Sequence, residues 1–256
     1  MNVLIHFDET NTGTYTLYKL KKGQWKNLLG KFPVKFRQCY ITDAALDELS
    51  KKIGVTKSQY LEKYILPDKA NIVSGDFGEI LSYWAIKDKY QSKGIQLNGP
   101  KKWRYKFDRN KAVMGADALL FHKANPRKPS KDDVLVSIES KMKAVVSTDH
   151  RIQKAIDGAE QDKNTRMAKT LIWLEELYAK NGDRDSVSFI KRFNDPATHG
   201  NFTKEFNAIA ILDSTLEAGE TGQVFTNKQN VTVIVFSVDD LKRAYESTRD
   251  NIIKSI

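Results

Sequence analysis

Val134-Leu135-Val136-Ser137-Ile138-Glu139-Ser140-Lys141-Met142-Lys143 decides the fold. Its β-branched and apolar residues read as a strand with one core-facing side. Alternation puts Val134, Val136 and Ile138 on one face, and Ser137, Glu139 and Lys141 on the other. A carboxylate and an ammonium side by side on such a strand need a reason, because burying unpaired charge is costly. One reason is a surface-facing strand with a cross-strand salt bridge. The other is a metal site.

Two upstream segments favour the metal site. Gly115-Ala116-Asp117-Ala118-Leu119-Leu120-Phe121 reads as a second strand with Asp117 near its start. Asn125-Pro126 and Pro129-Ser130 lie between the two strands as turn signals, which predicts a hairpin that brings Asp117 close to Glu139. Further upstream, Ser74 to Trp84 has a helical stripe of Phe77, Ile80, Leu81 and Trp84. Glu79 falls on another, partly apolar side with Tyr83 and Ile86, so full solvation is not expected for it. Helix Glu, strand Asp, then strand Glu-x-Lys is the order found in the PD-(D/E)XK nuclease core.

Outward from these motifs, strands and helices alternate. Val3 to Phe7 and Thr14 to Lys19 read as strands, and Gln24 to Gln38 mixes aromatic and basic residues without a clear pattern. Thr42 to Gly54 reads as a helix, and Thr56-Lys57-Ser58-Gln59 as a capping box opening another. A helix is expected from Thr148-Asp149, a longer one over Met167 to Lys180 and a short one over Ser186 to Phe193, with Asn194 to Asn201 as loop. Phe206 to Asp213 and Val231 to Phe236 read as central strands, with an exposed polar stretch over Glu217 to Gln229. Leu241, Ala244, Tyr245, Thr248 and Ile252 form the face of a final helix. The expected class is therefore α/β, a mixed central β-sheet flanked by helices with a restriction-endonuclease-like core. Residues 1–69 are expected to be N-terminal accessory strands and helices, and residues 70–256 the nuclease-like domain.

Lys101-Lys102-Trp103-Arg104-Tyr105-Lys106-Phe107 alternates basic with aromatic residues. It predicts a strand whose aromatic face packs while Lys102, Arg104 and Lys106 either meet solvent or track a phosphate backbone. The chain carries 42 Lys+Arg against 32 Asp+Glu, a formal net charge of +10, which suits a polyanionic partner such as DNA. A single cysteine, Cys39, excludes an internal disulfide and fits a reducing cytoplasm. The apolar run after Met1 is short and lacks a basic leader, so no signal peptide is expected. No run approaches the ~20 apolar residues of a membrane span. There is no Walker loop, no nucleophile elbow and no zinc-ligand spacing.

Glu139-Ser140-Lys141 is the only Glu-x-Lys in the chain; Asp240-Leu241-Lys242 has the Asp form, but it opens a helix and is better explained by capping. Carboxylates are hard oxygen ligands that favour Mg²⁺, with Mn²⁺ a substitute. Asp117 and Glu139 would hold the metal, Glu79 would join directly or through water, and Lys141 would orient the attacking water. Gln153 could reach the site or the phosphate, although a plain surface glutamine explains it better.

Gly78-Glu79-Ile80-Leu81, Gly115-Ala116-Asp117, Glu139-Ser140-Lys141 and Ala208-Ile209-Ala210-Ile211-Leu212-Asp213 together resemble the HamA family, the nuclease subunits of the two-gene Hachiman anti-phage system. The resemblance covers roughly Ser74 to the C-terminus. It implies a Mg²⁺-dependent DNase held inactive by a helicase partner, HamB, and released when that helicase acts on DNA. It also implies that Glu79, Asp117, Glu139 and Lys141 are catalytic. Two alternatives stay open: a stand-alone sequence-specific restriction endonuclease, and a non-catalytic DNA-binding adaptor on a nuclease fold.

Overall fold

A computed structural model of the chain describes residues 2–195 and 202–256. Its strands are β1 (Phe7–Asn11), β2 (Thr16–Leu20), β3 (Ala118–His122), β4 (Val134–Lys143), β5 (Thr203–Asp213) and β6 (Val231–Val238), joined in the order β1-β2-β6-β5-β4-β3. β4, β5, β6 and β2 run parallel to their neighbours, while β1 and β3 close the two ends antiparallel. The sheet is therefore mixed, and its central strands are buried on both faces, as their near-continuous apolar sequences require.

The helices are α1 (Trp25–Tyr40), α2 (Asp43–Ile53), α3 (Lys57–Tyr60), α4 (Ala70–Gln91), α5 (Arg151–Gln161), α6 (Met167–Lys180), α7 (Arg184–Asn194), α8 (Ser214–Thr221) and α9 (Leu241–Lys254). They divide between the two sheet faces, giving an α/β fold of three layers. On one face, Val136, Ile138, Ile209, Ile211, Ile234 and Phe236 share a core with α1, α4 and α9. On the other, Leu135, Ala208, Ala210, Val233 and Val235 share a core with α5, α6 and α7. The alternation within β4 is as its sequence predicts: Val136 and Ile138 face one layer, and Glu139 faces the other.

Residues 1–69 supply β1 and β2 to this same sheet, and α1 packs along α9. Leu28, Phe32 and Phe36 of α1 are fully or almost fully buried, Phe32 and Phe36 against Phe77 of α4. Their i, i+4, i+8 spacing is a helical stripe, in a segment where Pro33 and the interspersed lysines mask the pattern. Thr56 and Gln59 form the expected capping box.

Several local expectations are corrected. Leu4–His6 is a 3₁₀ turn, and the first strand begins only at Phe7. Lys102–Tyr105 is a 3₁₀ turn rather than a strand. The stretch from Glu217 is not uniformly exposed: it starts within α8, and Glu220 is buried. Asp240 is not a side-chain cap; the first amide of α9, Leu241 N, donates to Asp213 Oδ2 at 2.9 Å instead. Of the loop expected over Asn194 to Asn201, residues 196–201 lie outside the described residues, and Asn194 is the last residue of α7.

Candidate active site

The backbone at Gly115 has φ +104°, a conformation that L side chains rarely adopt. A Cβ there would also lie 2.6 Å from Thr170 Oγ1, the hydroxyl that accepts the Ala116 amide at 2.9 Å. Glycine and α6 together thus fix the entry into β3. The antiparallel register pairs Ala118 with Ile138, so Asp117 arrives opposite Glu139. Asp117 Oδ2 accepts the Ser140 amide at 2.8 Å. From Glu139 onward β4 has no pairing with β3, which leaves a notch beside the edge strand with both carboxylates at it.

Glu139 is 1% exposed and lies under α5. The close approach needs Gly158, because a Cβ at that position would lie 2.5 Å from Glu139 Oε1. Glu139 is ion-paired with Lys141 and, at 2.5 Å, with Arg166. Arg166 ends a π-helical turn, Asp162–Arg166, inserted between α5 and α6. Such turns re-aim side chains and are frequent at functional sites. This one directs Arg166 at both Glu139 and the buried Asp162, which accepts Ser137 Oγ at 2.6 Å.

Glu79 approaches from α4, on the opposite sheet face. Its carboxylate lies 3.2 Å from Lys102 Nζ and accepts Trp103 Nε1–H at 2.9 Å. Lys102 spans the gap to the strands: it lies 3.8 Å from Asp117 Oδ1 and donates to the Ala116 carbonyl at 3.2 Å. One turn earlier on α4, Asp76 accepts from Tyr40 Oη at 2.7 Å and from Lys106 Nζ at 2.5 Å. The result is an alternating array of buried acids and bases around the start of β3.

The electrostatics are strained in one direction. Burial pushes the Glu139 carboxyl up to about 7; Asp117 adds to the shift, while Lys141 and Arg166 oppose it. Burial raises Glu79 to about 8, opposed by Lys102 and reinforced by Asp117 and Asp76. Burial works against the charge on Lys102 and Lys141, yet the surrounding carboxylates outweigh it and raise both ammonium groups.

Asp117, Glu139 and Lys141 are therefore brought together, and Glu79 is linked to them through Lys102. Lys102 and Lys106 do not form a basic strand face, because both turn inward onto acids of α4 and β3. Arg104 is exposed and donates to the Gln38 carbonyl at 2.5 Å. Gln153 donates to Asp157 at 2.8 Å and accepts the Thr226 amide at 2.9 Å, a structural bridge between α5 and the segment before β6. Among the described residues, no three Asp, Glu, His or Cys side chains cluster as a ready metal-ligand set. Asp117 and Glu139 supply two hard carboxylates, with the Ser140 carbonyl next to Glu139 in sequence. That donor set suits Mg²⁺, which keeps several waters and often takes only one or two carboxylates.

Sequence reading missed Arg166, Asp162 and Gly158 and misplaced Lys102. The usable signal was Gly158, a glycine in the middle of an otherwise strong helix, where it is unfavourable unless something approaches closely.

These features define an α/β protein with a buried carboxylate–lysine cluster at a notch beside its edge strand. The family model for HamA matches residues 3–255, and the chain belongs to the HamA family. The match extends through the N-terminal strands and helices. A search of the curated proteins gives no significant match. Membership of this family indicates a role in anti-phage defence. Among the described residues, no helix is long and apolar enough to cross a membrane.

Proposed function

We propose that this protein is a metal-dependent deoxyribonuclease, the phosphodiester-cleaving effector of a defence system in which a helicase is its partner. The observation that carries the reading is the meeting of Asp117, Glu139 and Lys141 at the β3–β4 notch. There Glu139 is held at about 7 by burial and by its acidic neighbour. A buried carboxylate whose proton affinity is raised by burial and by a second carboxylate beside it, despite two cationic partners, is the kind of perturbed group found at functional sites.

Asp117 and Glu139 would hold Mg²⁺ or Mn²⁺, with Glu79 acting through water. When bound, the ion would lower the pKa of a coordinated water and neutralise the scissile phosphate. Lys141, on the strand face of Glu139, would orient the attacking water and balance charge on the transferring phosphoryl group. Lys102 would keep Glu79 and Asp117 from repelling each other. Arg166, paired with Glu139 and Asp162, would hold the Glu139 carboxylate in place. The restriction-endonuclease-like core belongs to this same reading.

The test is cleavage of plasmid by purified protein in Mg²⁺, alone and with its helicase partner. Wild type should nick or degrade DNA, and chelator should stop it. If Glu139→Ala and Lys141→Ala cleave as fast as wild type, the site is wrong. Salt-sensitive DNA binding without cleavage in any metal would instead mark a non-catalytic adaptor.

A further inference from the structure

Next to Arg166 lies a cavity of about 540 Å³ that the cleavage chemistry does not use. Its walls come from the end of the 3₁₀ turn and the segment after it, Tyr105 to Gly115, and from Arg166 with the first half of α6. Phe107 is fully exposed on one side of it, and Met114 is 89% exposed. Trp173 forms part of the α6 wall, braced edge-on by Tyr105 at 6.3 Å. Large apolar side chains left in solvent one at a time are ordinary, but two at one cavity that a partly buried tryptophan also lines are not. Its rim is basic. Lys111, Lys169 and Arg166 line it, against Asp108 as the one acid, and Asp108 already lies 3.7 Å from Lys111.

We propose that this cavity receives an unstacked nucleobase of single-stranded DNA. Aromatic and thioether surfaces suit the π-face of any base, and the lysines suit the flanking phosphates. Arg166 joins the two places: one end of its guanidinium is on Glu139, and its side chain lines the cavity. A strand with a base in the cavity comes within reach of Arg166, and so lies beside the notch that Arg166 borders. A duplex keeps its bases stacked and cannot fill the cavity without extruding one. The inference rests on the nuclease reading and assigns to it the capture of a locally unpaired stretch of the DNA it cleaves. It also accounts for the exposure of Phe107 and Met114.

Binding in chelator, without cleavage, tests it separately from catalysis. Fluorescence anisotropy compares a labelled oligothymidylate of about twelve nucleotides, within the usual range of single-strand site sizes, with a fully abasic strand of equal length and charge. Wild type should bind the thymidylate about tenfold tighter, the order expected for stacking of a base on an aromatic side chain. Phe107→Ala and Trp173→Ala should abolish that preference and leave affinity for the abasic strand unchanged. Phe107 is fully exposed, so its variant keeps the test valid should Trp173→Ala fold poorly. Equal binding of the two strands by wild type, or a preference that survives both substitutions, overturns the proposal. So does a loss of helicase-partner binding with oligonucleotide affinity intact, which would make the cavity a protein interface. Loss of cleavage in Glu139→Ala is read independently in Mg²⁺, so either idea can fail alone.

Discussion

β4 carries two ion pairs to buried carboxylates only a few residues apart, and they are built for opposite purposes. Lys143 Nζ donates to Glu220 at 2.7 Å and to the carbonyls of Ser147 and Asp149 at 2.9 Å each. Glu220 in turn accepts the Arg151 amide at 2.8 Å and so caps the start of α5. Every strong donor and acceptor in that pair is answered. Glu139 is equally buried, but its neighbours include a second carboxylate, and burial with Asp117 drives its proton affinity up. The Lys143 pair is a fastener; the Glu139 pair is held under electrostatic load. Buried charge alone therefore does not mark a candidate active site. Like charges placed together at a gap in the sheet do.

The sharpest way to break this contrast is to remove the two lysines of β4 in turn. Lys141→Ala should lower DNA cleavage by about 10²–10³-fold, roughly 3–4 kcal/mol of transition-state stabilisation. Its melting midpoint should fall less than that of the Lys143 variant, because Glu139 keeps its Arg166 partner and takes up a proton readily. Equal cleavage rates in plasmid assays for Lys141→Ala and wild type would dissolve the distinction.

Lys143→Ala should do the reverse. It leaves Glu220 buried and only partly answered, which typically costs about 3–5 kcal/mol. Calorimetry should show the melting midpoint falling by roughly 10 °C. Cleavage per folded molecule should be unchanged. A Lys143 variant that melts normally but has lost cleavage would put that pair in the reaction.

Gly158→Ala is a finer probe. A methyl there would press on Glu139 from 2.5 Å, so the carboxylate must move. Activity should fall by about tenfold, the scale on which small misplacements act. Alanine is otherwise favoured over glycine in a helix by about 1 kcal/mol, so stability should barely drop. A Gly158→Ala variant as active as wild type would mean that the position of Glu139 under α5 does not matter.

Sequence made the strand layer legible and the contacts between layers much less so. β4, β5, β6 and the hairpin of β3 with β4 follow from local alternation and turn residues, and so does the meeting of Asp117 with Glu139. Lys102 shows the limit. Its alternating neighbourhood is good strand sequence, yet its ammonium finds Glu79 and Asp117, carboxylates 23 residues before it and 15 after. Partners at that range override a short period-two pattern. Arg166 was out of reach for a similar reason, because a π-helical turn shifts its direction and nothing in Asp162–Arg166 announces that turn. The apolar cavity was invisible because Phe107 and Met114 look like core residues on a sequence.

The smallest expected effect is on the pH dependence of stability, and it tests the load on Glu139 directly. In chelator, the folded carboxyl titrates near 7, against an ordinary value of 4.5 when unfolded. Between those values the native state binds more protons than the unfolded state, so stability falls as pH rises. The fall starts above about 4.5 and is complete once pH passes about 7. A Glu139→Gln variant stays neutral and lacks this contribution. Its melting midpoint should match wild type near pH 4.5 and exceed it by a few degrees at about pH 8. Mg²⁺ should flatten the wild-type profile, because ligation requires the ionised carboxylate and favours the folded state. Parallel profiles for wild type and Glu139→Gln in chelator would show that Glu139 is as well matched by its neighbours as Glu220 is, and the two pairs on β4 would no longer differ in kind.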